Sequence, residues 1–273
     1  MNLLPRSIEY SHWYTPSGVA VHEVPRADGQ GMRPTTVADA RKKGLLPSVT
    51  NVIGILEKPA LTAWKCEQAI LSALTLPRLP DEPDQDFAHR VVTDSDETRD
   101  KAAGFGRDFH SACSDYLQGK PPSVPISHLT HFEVWKEWAD ANVEKVWMTE
   151  QIVVGRGYAG TTDLVADLKG IGRSVVDFKT RTPQKLKSGF KLAPYFDSDC
   201  VQLCAYDMAI PGGFKALVSC LISSGTDCTL NIHRWPIDDH HRAHRLFVNL
   251  LDVWCLIKKY DPRTIIDINA TLV

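Results

Sequence analysis

The chain of 273 residues carries 31 Lys and Arg against 33 Asp and Glu, a formal net charge of −2. With 43% hydrophobic and 23% charged residues it has the composition of an ordinary globular protein with enough apolar material for a sizeable core. That balance excludes a strongly basic nucleic-acid binder on global charge, so any contact with nucleic acid has to come from a local basic surface.

The opening MNLLPRSIEYSHW has no basic start followed by an apolar stretch and little Arg, which predicts neither a secretory signal nor a transit peptide. Residues 1–45 mix Pro, Gly and charge without periodicity and read as an irregular segment with short strands. Leu46 to Leu56 leads into a helix that Ser48 or Thr50 can cap, because a hydroxyl accepts from an unpaired first-turn N–H. A second helix is predicted from about Ala60 to Leu74. Residues 76–98 hold three Pro and seven Asp or Glu, the pattern of an exposed connection.

From Thr98 to Gly119 apolar residues recur at steps of three and four (Phe105, Phe109, Ala112, Cys113, Tyr116), with Gly119 as a natural stop. A further helix is expected over about His128 to Glu144. The pattern then changes to β-branched runs divided by Gly-bearing turns: Val146–Val154, Tyr158–Leu168 and Ser174–Phe178. A helix follows at about Ser198 to Ile210, then strands near Ala216–Ser223 and Thr229–Trp235, then a long helix from about Asp238 to Lys259. This order predicts an α/β (α+β) fold with a central mixed sheet flanked by helices. No run approaches the ~18 apolar residues of a membrane span. The seven cysteines form no C-x-x-C pair, which predicts cytosolic free thiols rather than a zinc ribbon or a disulfide framework.

The chemistry concentrates in Gly160-Thr161-Thr162-Asp163 and Val175-Val176-Asp177-Phe178-Lys179-Thr180. Residues two apart in a strand share a face, so Asp177 and Lys179 project together and Phe178 points to the other side. Asp163 lies one Gly turn away and can converge on Asp177 across the hairpin. A surface salt bridge would contribute only ~0–1 kcal/mol. The apolar neighbours Val175, Val176 and Phe178 instead indicate a buried strand, where charges are costly unless paired or bound to metal. Mg²⁺ or Mn²⁺ suits two carboxylates, the carbonyl of Phe178 and phosphate oxygen, and Lys179 suits the stabilisation of a charged transition state.

The GYAGTTDLVAD and VVDFKT segments resemble the PD-(D/E)XK nuclease superfamily, and its RecB-like and phage exonuclease branch in particular. Three further segments carry the likeness: Gly106-Arg107-Asp108-Phe109-His110 with Tyr116 to Gly119; Gln202-Leu203-Cys204-Ala205-Tyr206; and Leu46 to Thr50 with Lys58 to Leu61 and Trp64, which is similar to the N-terminal part of phage exonucleases and of the mitochondrial genome maintenance exonuclease. Together they cover about residues 46–210. Thr162 stands where the family's Pro precedes the first acid.

The resemblance implies a restriction-endonuclease-like core at 99–273, a helical extension or arch at 46–98 and the irregular segment 1–45. It implies catalysis by Asp163, Asp177 and Lys179, with His110 completing a metal shell, where a core histidine is the plain alternative. Gln202 and Tyr206, one helical turn apart, orient substrate or Lys179, or serve ordinary packing. Glu150 binds a second metal or tunes Lys179, or is an exposed strand-end carboxylate. The scattered Cys220, Cys228 and Cys255 predict no iron–sulfur cluster.

Thr180, Arg181, Lys185, Lys187 and Lys191 follow without an acidic interruption, a path for a phosphate backbone. Trp64, Tyr158 and Phe190 are candidates for base stacking. The expectation is a Mg²⁺- or Mn²⁺-dependent exonuclease, with one or two ions, acting on DNA that is single-stranded or has free ends. The setting implied is recombination, repair or replication, with a recombination or replication partner protein, in the cytoplasm of a prokaryotic or phage-infected cell. A structure-specific endonuclease and a non-catalytic nucleic-acid-binding protein on the same scaffold are the alternatives.

Overall fold

The computed structural model describes residues 12–56, 59–181, 184–185, 191–192, 195–213, 215–226 and 228–265. The chain divides into two compact units, residues 1–55 with 134–273 and residues 56–133.

The first unit begins with β1 (Trp13–Tyr14), β2 (Glu23–Pro25), β3 (Met32–Pro34), α1 (Val37–Lys43), β4 (Leu46–Pro47) and α2 (Val49–Ile53). The segment read as irregular thus contains a helix. Thr36 caps α1 by accepting from the Asp39 N–H, and the Asp39 carboxylate accepts from the Thr36 N–H at 2.9 Å. Arg33 grips the same carboxylate with two donors at 2.7 and 2.9 Å. Trp13 is fully buried, donates its indole N–H to the Thr35 carbonyl at 3.1 Å, and meets Trp254 edge-on at 6.0 Å. Ser48 caps α2, its Oγ accepting from Asn51 N at 3.0 Å, as its hydroxyl predicts.

The second unit holds α3 (Pro59–Thr75), α4 (Asp84–Leu117), a 3₁₀ turn (Ile126–His128) and the start of α5 (Leu129–Asn142). The acidic tract read as a connection is helical from Asp84 onward, and α4 runs for 34 residues. The charges explain this. Asp84 and Asp86 sit in the first turn, where carboxylates favour the positive end of the helix dipole. Glu82 accepts from Arg90 Nε at 2.7 Å and from Leu79 N at 3.2 Å, which ties the approach to the helix. Phe105 stacks with Phe109 and meets His128 and His131 edge-on.

The rest of the first unit is a five-stranded mixed sheet with helices. Its strands are β5 (Val143–Gly155), β6 (Tyr158–Leu168), β7 (Gly172–Arg181), β10 (Ala216–Ser223) and β11 (Leu230–Arg234); a two-stranded ribbon of β8 (Gln184–Lys185) and β9 (Lys191–Leu192) follows β7. The order across the sheet is β11-β10-β7-β6-β5, and only β7 and β10 run parallel. Parallel neighbours need a crossover, which α6 (Asp197–Ala209) provides. α7 (Ile237–Lys258) packs on α6. The opposite side of β7 is closed by Trp135 of α5, edge-on to Phe178 at 5.5 Å. Five of the seven cysteines are buried and all are free thiols. Burial pushes Cys200 and Cys204 up to about 12, so they behave as small apolar residues. Among the described residues no helix is long and apolar enough to cross a membrane.

A buried charge cluster joins α6 to the strand after it. Lys215 Nζ donates to Asp207 Oδ1 at 3.2 Å and to the carbonyls of Ile210 and Gly213 at 3.0 and 2.9 Å. His240 Nε2 lies 3.3 Å from the other Asp207 oxygen. Asp207→Ala would leave the ammonium buried without a carboxylate. It is expected to lower stability by about 3–5 kcal/mol, read from the urea midpoint. A midpoint at the wild-type value would show that the backbone carbonyls suffice.

Candidate functional site

Register sets the site. Leu164 pairs with Val176, so Asp163 and Asp177 occupy the next position on their neighbouring strands. Thr149 pairs with Leu164 and Gln151 with Thr162, so Glu150 stands across from Asp163 on β5. Three carboxylates therefore lie in one row across β5, β6 and β7.

The two inner carboxylates are buried, Asp163 at 8% and Asp177 at 1% exposure. Beyond Leu164 the antiparallel ladder stops, and Asp163 Oδ2 takes the Phe178 N–H at 2.7 Å. A side chain has replaced a backbone partner at that step, which satisfies the amide and fixes the carboxylate. Asp177 Oδ1 accepts from Lys179 Nζ at 2.7 Å. Asp177 Oδ2 is buried and has no hydrogen-bond partner among the described residues. Burial pushes the Asp177 carboxyl up to about 7; Lys179 pulls it down and Asp163 adds to the rise. Burial also works against the Lys179 ammonium, but Asp177 and Asp163 outweigh it and raise its pKa. The two carboxylates thus favour the charged form of the lysine.

α6 completes the surroundings of the lysine. Gln202 Oε1 accepts from Lys179 Nζ at 3.3 Å, and Gln202 Nε2 donates to the Tyr206 hydroxyl at 3.0 Å. Asp177, Lys179, Gln202 and Tyr206 form one hydrogen-bonded chain. Burial holds the Tyr206 phenol well above its ordinary pKa, and the fields of Asp163 and Asp177 reinforce this. The ring fits because of Gly160 on β6: a Cβ there would stand 2.7 Å from Tyr206 Cε1.

Glu150 is exposed and lies inside β5, not at its end. Its φ is +49°, a left-handed value rare for a side chain other than Gly. Its carboxylate comes within 4.8 Å of that of Asp163. A non-Gly residue in this region costs about 1–3 kcal/mol unless its surroundings impose it. The positions on either side of Glu150 are paired with β6, which supplies that constraint.

Arg181 Nη2 donates to both oxygens of Asp199 at 2.7 and 2.8 Å, and its guanidinium lies over the Phe196 ring at 4.4 Å. The expected phosphate contact is thus an arginine already engaged by a carboxylate of α6. Thr180 is half-buried at the end of β7. Lys185 and Lys191 are register partners in the β8–β9 backbone pairing. Lys187 and Phe190 lie outside the described residues. His110 is half-buried on α4, in the second unit. Trp64 is half-buried on α3 of that unit. Tyr158 is core: it is 3% exposed, donates to the Ala205 carbonyl at 2.9 Å and meets Phe247 at 4.7 Å.

Two neighbours escaped the sequence reading. Tyr14 of β1 is buried, with its hydroxyl 3.4 Å from Thr161 Oγ1, and the charge of Glu150 acts on it. Nothing in a two-residue strand signals this. Asp199 had a signal: an acid in the first turn of a helix that follows a basic strand end.

No protein-family model matches this chain, and no curated protein matches it.

The arrangement brings together two buried carboxylates, one with a buried oxygen that has no partner among the described residues, and a third carboxylate at the rim. Gly160→Ala is expected to displace the Tyr206 ring and lower stability by about 1–3 kcal/mol, the usual cost of overpacking, read from urea unfolding. A full-strength Gly160→Ala protein would mean that α6 yields without loss.

Proposed function

We propose that this chain is a Mg²⁺- or Mn²⁺-dependent nuclease with a restriction-endonuclease-like core, acting on DNA. The observation that carries the proposal is Asp177 Oδ2, a buried carboxylate oxygen with no hydrogen-bond partner among the described residues, across from a second buried carboxylate. Two acids at such a place are costly without a cation. Lys179 engages only one oxygen of Asp177 in the hydrogen bonds described above.

The donor set fits a hard divalent ion. Asp163, Asp177 and the Phe178 carbonyl would hold it, with Glu150 beside Asp163 for a second; all are oxygen donors. A bound ion there supplies Lewis-acid polarisation of a phosphodiester and a more acidic water. The protein's own part follows from the hydrogen bonds. Lys179 stays charged and places an ammonium where negative charge develops on the phosphoryl oxygens. Gln202 fixes its Nζ, and Tyr206 fixes Gln202, so the cation is pre-positioned rather than drawn from solvent. Gly160 gives Tyr206 its place.

The finer reading rests on the sequence resemblance: exonuclease action, a preference for single strands, the assignment of His110 as a ligand, and a phage or prokaryotic setting. The basic run Lys185, Lys187 and Lys191 supports a path for the phosphate backbone.

Digestion of end-labelled single strands, linear duplex and closed circles with Mg²⁺, Mn²⁺ or EDTA tests this. Cleavage of linear substrates with either ion and none in EDTA is expected. Cutting of closed circles would replace the exonuclease by the endonuclease alternative, and activity in EDTA would remove the metal. Lys179→Ala is expected to lower the rate about 10²–10³-fold, the usual loss of one electrostatic stabiliser, with Mn²⁺ binding by calorimetry retained. Asp177→Ala is expected to abolish both. A wild-type rate in either variant rules out this site.

A further inference from the structure

We infer that the protein carries a nucleobase-stacking platform beside the carboxylate row, built from Phe196 and the Tyr195–His233 ring pair, that holds unpaired bases of a single strand. The inference rests on the nuclease reading and names a part of its substrate: a strand with exposed bases rather than a paired duplex.

The row of Asp163 and Asp177 continues across the sheet. Asp177 pairs with Ser219 on β10, and Ser219 pairs with His233 on β11. Residues in register share a face, and strands lie ~4.8 Å apart, so the His233 backbone stands roughly 10 Å from that of Asp177. The Tyr195 and His233 rings meet at 4.5 Å with their planes 35° apart. Trp235 braces them from below. It lies edge-on to His233 at 4.5 Å, is only 9% exposed, and donates its indole N–H to Ser219 Oγ at 2.9 Å. Ser219 is thus both a member of the row and the anchor of the ring group.

Tyr195 turns toward β11, while Phe196, which follows it in the chain, turns toward β7. Its ring lies under the Arg181 guanidinium, and 41% of the residue remains exposed. The Arg181–Asp199 pair holds that guanidinium, and the Asp199 carboxylate also accepts from the Phe196 N–H at 3.1 Å. One carboxylate therefore fixes both the arginine and the backbone that presents the ring.

His233 lies on the edge strand β11, and Phe196 stands partly open just before α6; such rings offer faces for stacking. Base stacking on such rings tolerates any sequence but requires unpaired bases. It also suits this chain, whose net charge of −2 offers little general attraction for a phosphate backbone.

The test is fluorescence anisotropy with an oligothymidylate and an abasic oligonucleotide of equal length. Ca²⁺ replaces Mg²⁺, and strand integrity is checked on a gel. Wild-type protein is expected to bind the oligothymidylate more tightly than the abasic strand. Phe196→Ala and His233→Ala each weaken oligothymidylate binding about tenfold and leave abasic binding unchanged, while His233→Phe keeps a ring and keeps the affinity. Wild-type affinity of both alanine variants for oligothymidylate overturns the platform, as does an equal loss on the two strands. In either case Mg²⁺-dependent cleavage by the wild type leaves the nuclease reading standing. Failure of the wild type both to bind either strand and to cleave DNA removes the two proposals together.

Discussion

The structure depends on one constraint: two carboxylates, Asp163 and Asp177, fixed in the buried middle of a sheet. An apolar strand could have placed Val or Ile at either position at no electrostatic cost. With acids there, the surroundings must answer for every oxygen. The Phe178 N–H leaves the strand ladder for Asp163, and the Lys179 ammonium is drawn onto Asp177. The lysine in turn needs a second acceptor, which α6 supplies through Gln202. One oxygen is still left over. On the nuclease reading, that oxygen is where a cation would be held.

The same helix carries two kinds of polar work at its two ends. Near its start Asp199 holds Arg181 and accepts from Phe196 N. Near its finish Asp207 neutralises Lys215, whose remaining donors meet backbone carbonyls. Between them the Gln202–Tyr206 pair reaches the site. Both ends of α6 are thus tied to neighbouring strand ends by charge, and its middle is pressed onto the sheet where Gly160 admits a ring. Strong tethers at the ends keep Gln202 within reach of Lys179, as a pre-positioned cation requires.

What could be read from the sequence was what repeats or alternates. β6 and β10 matched their predicted spans because β-branched runs ended at Gly-bearing or polar turns. Asp177, Phe178 and Lys179 could be assigned to faces because strand alternation has a period of two. The first four turns or so of α4, before Thr98, read as loop because Pro and acidic residues signal loops by composition, while their effect here is local: a helix start with the dipole satisfied and Glu82 bound to Arg90. The placement of Tyr14 was illegible for another reason. It depends on contacts between residues 147 positions apart in sequence, and no local pattern encodes them. Glu150 sat between these cases. Its type was visible, but its left-handed backbone and its position opposite Asp163 follow from pairing on both sides of it.

Charge also decides how the candidate site can meet a polyanion. With Lys179 on Asp177, the remaining negative charge comes from Asp163 and the rim acid Glu150, and it works against an approaching phosphate. Arg181, at the end of β7, already has Asp199 as a partner. Its net contribution to the local field is therefore small. On the nuclease reading, attraction would then come from a cation held at the carboxylates, from the lysines that follow β7 in the sequence and from the proposed stacking faces. On the nuclease reading this separates two functions that basic DNA-binding proteins combine. Affinity falls to stacking and to the metal, while Lys179, locked between Asp177 and Gln202, is reserved for the charge that develops at phosphorus.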